Sequence, residues 1–200
     1  MLTDSEIELL CSRMGIPLET ICFKDEIPSP IKYNRSYFVN MESSVDQDGT
    51  ANCGSHWCCF QVNKYQNGRI EPIWFDPYGV SPPEDVKKYI LEQTGQKLPF
   101  TEKDIQSLLN NACGYFCCAY LHFINHCDIR SKDLYLDTAA FLDMFDDLNK
   151  SVDFKKNEYI LKLFFQSKDP ALRKEINIDG IMGEDHKGGG DIGKGATEKF

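Results

Sequence analysis

Two hundred residues with 42% hydrophobic and 12% aromatic content suffice for one globular domain with a sizeable core. Twenty-two Lys and Arg against thirty-one Asp and Glu leave a formal net charge of -9 and a pI near 4.9. That balance lacks the basic footprint of a protein built to grip nucleic acid.

The longest apolar run, residues 115–124, is ten residues with His122 inside it, about half a membrane span. The opening Met-Leu-Thr-Asp-Ser-Glu carries acid where a secretory leader carries base. Neither a membrane protein nor a secreted one is expected.

Residues 4–14 read as a helix, with Asp4 or Ser5 as cap and Ile7, Leu10, Cys11 and Met14 at helical spacing. Ile16-Pro17 ends it, and Pro28-Ser29-Pro30 marks a loop. A short strand over 36–41 leads into a polar loop over 42–52. The segments 57–62 and 70–75 then flank the polar turn Tyr65-Gln66-Asn67-Gly68-Arg69 as a hairpin, with Pro72 placing the second strand near an edge. Asp76-Pro77-Tyr78-Gly79 closes it, and Pro82-Pro83-Glu84 starts a helix running to about Gln93.

After a short extended piece over 97–100 the chain turns helical. Cys113, Phe116, Cys117, Tyr120, Leu121 and Ile124 form a stripe wide enough for a central core helix. Two more amphipathic helices are expected over 133–149 and 154–166. Seven of the fourteen glycines fall after residue 179, which signals a flexible tail. The class is α+β, a small sheet packed on several helices.

Nine cysteines, an odd number with two adjacent pairs (Cys58 with Cys59, Cys117 with Cys118), read as mostly reduced, buried thiols. Cys113 stands apart, because it opens the central helix, where free N–H groups and the dipole favour a thiolate. With the hairpin turning about residue 66, His56 and Asp76 face each other at its open end. There a carboxylate can orient an imidazole. Gln106 precedes the central helix and could aim its amide at an oxyanion beside the Cys113 N–H. Each of these has an ordinary reading as a surface or loop residue.

Together they form a pattern. Gly54-Ser55-His56-Trp57, Trp74-Phe75-Asp76-Pro77-Tyr78-Gly79, Gln106, and Asn111-Ala112-Cys113-Gly114-Tyr115-Phe116-Cys117-Cys118 resemble the adenovirus endopeptidase (adenain) family. The same order of His-Trp, acid, Gln and Cys-Gly marks the wider clan that includes the SUMO-type, ubiquitin-like-protein proteases. The order also excludes a papain-like plan, in which Cys comes first.

The resemblance covers roughly residues 4–173. It implies a small mixed β-sheet packed on helices, with Cys113 as nucleophile at the N-terminus of the central buried helix. His56 would be its ion-pair partner, Asp76 the orienting acid, and Gln106 the oxyanion donor. Trp57, Gly54 and Gly114 would lie on the substrate side, although Trp57 reads equally well as a core aromatic. The implied protein is a maturation endopeptidase cutting viral capsid or core precursors at Gly-containing sites. It would be a monomer acting in the virion and in the cytoplasm or nucleus of the infected cell, without a cofactor or bound metal.

In domain terms, residues 1–175 form the protease and 176–200 a Gly-rich tail. Ile181-Met182-Gly183-Glu184 and Gly188-Gly189-Gly190 loosely resemble cleavage sites for self-processing.

The chain departs from the family in three ways. Its acid is Asp76 rather than Glu. It has no cysteine between Cys59 and Cys113, so an activating peptide would not be tethered there by a disulfide. It is acidic, whereas the family is basic and uses DNA.

Two rival readings stand beside this one. One is an isopeptidase of the same clan acting on ubiquitin-like proteins. The other is a zinc-binding module using Cys118, His122, His126 and Cys127, helped by Cys53 or Cys58. Three ligands at i, i+4 and i+8 span about 12 Å of helix, too far for one tetrahedral ion, so ligands from elsewhere would be needed.

The charge generates a direct prediction: any DNA binding is non-specific and is lost by about 150 mM salt. Binding in a filter or anisotropy assay that survives such salt would contradict it.

Overall fold

The computed structural model describes residues 1–108, 110–126, 132–149 and 154–168. The tail from 176 onward, and with it the boundary at 175, lies outside the described residues.

Five helices and four strands follow one another as α1 (Asp4–Arg13), β1 (Leu18–Phe23), β2 (Ser36–Asn40), β3 (Trp57–Lys64), β4 (Ile70–Phe75), α2 (Glu84–Thr94), α3 (Cys113–His126), α4 (Leu134–Leu142) and α5 (Phe154–Lys168). The strands form one mixed sheet in the order β1-β2-β3-β4. β1 runs parallel to β2, and the other pairs are antiparallel. The fold is therefore α+β with a small mixed sheet, as expected. No helix among the described residues is long and apolar enough to cross a membrane.

The strands' period-2 alternation divides the core into two layers. Phe38, Cys59, Ile73 and Phe75 face α3, while Tyr37, Val39, Phe60 and Trp74 face Val86 and Ile90 of α2. The α3 side is the larger layer and also gathers α1, α4 and α5. α3 is buried continuously from Cys113 to Leu121, more than a one-sided stripe requires, because the sheet and three helices enclose it. Phe75 stacks on Tyr120 at 4.3 Å between centroids, and Phe141 meets both rings edge-on.

Helix α1 begins at a capping box in which Thr3 and Glu6 satisfy each other's backbone donors. Leu2, just before it, is tucked against the start of α3: a Cβ on Gly114 would come within 3.0 Å of the Leu2 side chain. Between α2 and α3, residues 99–101 run along the outer edge of β4. There the Trp74 N–H donates to the Pro99 carbonyl and the Thr101 N–H to the Trp74 carbonyl.

Four expectations change. The cap of α1 is Thr3 rather than Asp4 or Ser5, which are the first two helical residues. β1 was not expected; its six residues are all half-buried and show no alternation to betray a strand. The helix expected over 133–149 stops at Leu142, and Phe145 reaches the core from a turn instead. The hairpin pairs Lys64 with Ile70 and Cys59 with Phe75, so it turns about residue 67 rather than 66.

Phe141 is fully buried among Phe75, Tyr120, Phe123 and Phe145. Phe141→Ala is expected to cost about 3–5 kcal/mol of unfolding free energy, read by urea denaturation. A loss below about 1 kcal/mol would mean this aromatic cluster is not packed as described.

Candidate active site

The corrected register decides which side chains meet. Extending Cys59↔Phe75 by one step sets Cys58 opposite Asp76, and His56 then falls level with Tyr78 rather than Asp76. The shift is two residues, so every side chain keeps its face, and His56 still reaches Asp76 diagonally. His56 Nε2 lies 2.9 Å from Asp76 Oδ1, and the imidazole stacks on the Tyr78 ring at 4.6 Å and 25°.

Asp76 is 1% exposed, so its charge requires partners. Oδ1 accepts from His56 and from the Tyr78 N–H at 2.8 Å, and Oδ2 accepts from the Cys58 thiol at 3.2 Å. Burial, reinforced by the Asp76 charge, pushes the Cys58 thiol well above its ordinary range, so it stays protonated and donates.

Cys113 lies close enough to the imidazole to raise its pKa alongside Asp76. With Nε2 given to Asp76, Nδ1 is the nitrogen available to a second partner. Burial alone lowers the His56 pKa. The hydrogen bond to Asp76 and the influence of Asp76 and Cys113 together outweigh it and raise the value from 6.5 to about 9. Cys113 itself is buried at the first residue of α3, with the unpaired N–H groups of the first turn around it.

Gln106 reaches the cluster from the segment laid against the acid turn. The Ile105 and Gln106 N–H groups both donate to the Pro77 carbonyl, at 2.8 and 3.2 Å. Asn157 of α5, fully buried, donates to the Ile105 carbonyl at 3.1 Å and holds this segment from behind. The Gln106 carboxamide donates from Nε2 to the Tyr78 hydroxyl at 3.1 Å and to the Asn110 carbonyl at 3.3 Å. His56, Asp76, Gln106 and Cys113 are thus gathered at one end of the sheet.

The three residues expected on the substrate side behave differently. Trp57 is only 4% exposed, and its Nε1 donates to the Leu2 carbonyl at 2.9 Å. Gly114 is buried beneath Leu2, so its missing side chain makes room for the N-terminal segment. Gly54 has φ +77, and a Cβ there would strike the Asn40 amide at 2.1 Å. Packing accounts for both glycines, and neither is shown lining an open groove.

Sequence reasoning missed Cys58 and Tyr78. Cys58 shares His56's face at i+2, a signal hidden among nine cysteines. Tyr78 was visible only as part of the closing turn.

Among the described residues, only His56, Cys58 and Asp76 gather donor atoms as a metal site would, within 4.8 Å of one another. Those atoms are already hydrogen-bonded to each other, and a cation would have to displace the protons between them. Among the described residues, the zinc set on α3 does not assemble. His122 Nδ1 bonds the Met14 carbonyl at 3.0 Å, His126 Nε2 bonds the Gly15 carbonyl at 2.6 Å, and Cys118 sits beside Cys11. Cys127 lies outside the described residues. The eight described cysteines are all free thiols.

No protein-family model and no curated protein matches this chain. The fold and the site define an α+β protein with a buried Cys–His–Asp cluster and an adjacent carboxamide.

The His56 pKa yields a prediction with a definite sign. A folded pKa raised above the unfolded 6.5 gives stabilisation that is complete below about pH 6.5 and lost as pH rises through about 9. The stability difference between wild type and His56→Ala should shrink across that window. NMR should place the His56 midpoint near 9, and Asp76→Asn should lower it. A wild-type midpoint near 6.5 would contradict the geometry.

Proposed function

We propose that the protein is a cysteine endopeptidase. The observation that carries this reading is one imidazole bonded to a buried carboxylate and close enough to the thiol at the N-terminus of the core helix for that thiol to raise its pKa. A histidine held this way can carry the proton of Cys113 as imidazolium, leaving a thiolate to attack.

The thiolate of Cys113 adds to the scissile carbonyl, and the carbonyl oxygen becomes an oxyanion. In this reading the Cys113 N–H and the Gln106 carboxamide stabilise that charge. His56 returns its proton to the leaving amine and a thioester forms. His56 then takes a proton from water, the hydroxide attacks the thioester, and the acid product leaves with Cys113 regenerated. Asp76 holds the imidazole orientation throughout, with its second oxygen fixed by Cys58.

The substrate class rests on the resemblance to the adenain family. The proposed substrates are viral capsid or core precursors cut at Gly-containing sites, where residues without side chains let an extended chain pass close to flanking walls. Asp in place of Glu leaves the role of the acid intact, since Asp76 makes the required bond to His56. The proposed setting is the maturing virion.

The test compares wild type with Cys113→Ala on candidate viral structural proteins, with new termini identified by mass spectrometry. Wild type should cut next to glycine and Cys113→Ala should not. Gln106→Ala should retain cleavage slowed by roughly 10²–10³. Cleavage of ubiquitin-like fusions but not of structural precursors would move the assignment to the isopeptidases. Cleavage persisting in Cys113→Ala, or absent from wild type on both kinds of substrate, would overturn it.

A further inference from the structure

The Gln106 carboxamide presents a problem that the proposed chemistry does not solve by itself. Gln106 is 1% exposed, and its Oε1 is buried with no hydrogen-bond partner. Nothing on the oxygen side therefore fixes which way the amide points. Its orientation depends on the two acceptors that Nε2 meets, the Tyr78 hydroxyl at 3.1 Å and the Asn110 carbonyl at 3.3 Å.

An amide nitrogen has two hydrogens, and both are spoken for. To serve an oxyanion, one of the two bonds must be released while the other keeps the amide in place. The Tyr78 bond is the shorter, and Tyr78 is held on three sides. Its N–H donates to Asp76, its ring stacks on His56, and the turn behind it is clamped. In that clamp Pro77 accepts from the Gln106 N–H, and Gly79, at φ +70, lies so close to the Glu102 carbonyl that a Cβ would come within 2.6 Å. Burial and the nearby charges of Cys113 and Asp76 push the phenol up to about 12, so the hydroxyl remains neutral at working pH.

We infer that Tyr78 is a positioning residue that orients the Gln106 carboxamide for oxyanion stabilisation, while the Asn110 carbonyl is the partner given up when the oxyanion forms. The inference rests on the cysteine-protease reading and adds a residue to it. The Tyr78 hydroxyl acts through Gln106, while its ring packs on His56.

Two reactions of the same thiol separate this role from simple structural support. Acylation by p-nitrophenyl acetate passes through an oxyanion: the thiolate adds to the ester carbonyl, and collapse expels p-nitrophenolate and leaves an acetyl thioester on Cys113. Alkylation by iodoacetamide displaces iodide directly at carbon and forms no oxyanion. Tyr78→Phe keeps the ring on His56 and loses only the hydroxyl. It should slow the burst of p-nitrophenolate about tenfold and leave the alkylation rate and its pH profile unchanged.

Gln106→Ala should slow acylation more, and adding Tyr78→Phe to it should cost nothing further, because the hydroxyl then has no amide to orient. Equal slowing of both reactions by Tyr78→Phe, no slowing of acylation, or an undiminished loss in the Gln106→Ala background would each overturn the inference. A wild type that shows no Cys113-dependent burst would instead overturn the protease reading, and this inference with it.

Discussion

A carboxylate buried at the end of a sheet is tolerable only when its lone pairs are met, and Asp76 is met by an imidazole, a backbone N–H and a thiol. That one constraint organises the surrounding structure. It fixes His56 just ahead of the neighbouring strand β3 and sets the turn that carries Tyr78. It also gives Cys58 its place, since a protonated thiol is one of the few small donors that can sit in an apolar layer facing a carboxylate. Loss of any of the three donors leaves part of a buried charge unpaired, which costs more than the bond itself was worth.

The site joins parts that arrive from separate regions of the chain. The hairpin of β3 and β4 supplies His56, Cys58 and Asp76, the segment after α2 supplies Gln106, and α3 supplies Cys113. Each is tied to the acid turn or to the core behind it. Asn157 on α5 holds the Ile105 carbonyl, and Leu2 packs on Gly114 while accepting from Trp57. A cluster held between strands and a buried helix keeps its groups near one another without reorganisation, which is what the proposed acyl-transfer chemistry requires.

Much of this was legible in the sequence because the signals were local. Helical spacing marks α1 and α3, the Asn67-Gly68 turn marks the hairpin, and Pro72 correctly signals that β4 lies at an edge. The register was not legible to the residue, because the polar turn over 65–69 centres on 67 while the gap between the expected strands, 63–69, centres on 66, and one step in the centre moves every partner by two. That slip preserves faces, so His56 and Asp76 were still brought together. It concealed the Cys58–Asp76 and His56–Tyr78 neighbours. β1 escaped because its pairing with β2 is a parallel, non-local one between half-buried residues. The packing reasons for Gly54 and Gly114 depend on Asn40 and Leu2, which are distant in sequence and gave no signal.

In the proposed reading His56 sets Cys113 apart chemically from the other cysteines. The most direct measurement is the rate of iodoacetamide alkylation at each cysteine as a function of pH, mapped by peptide mass spectrometry, in wild type and His56→Ala. Cys113, although buried, should react faster than the exposed Cys53 below pH 7, and His56→Ala should abolish this lead. Cys53 reacting first in the wild type, with Cys113 indifferent to His56→Ala, would contradict it.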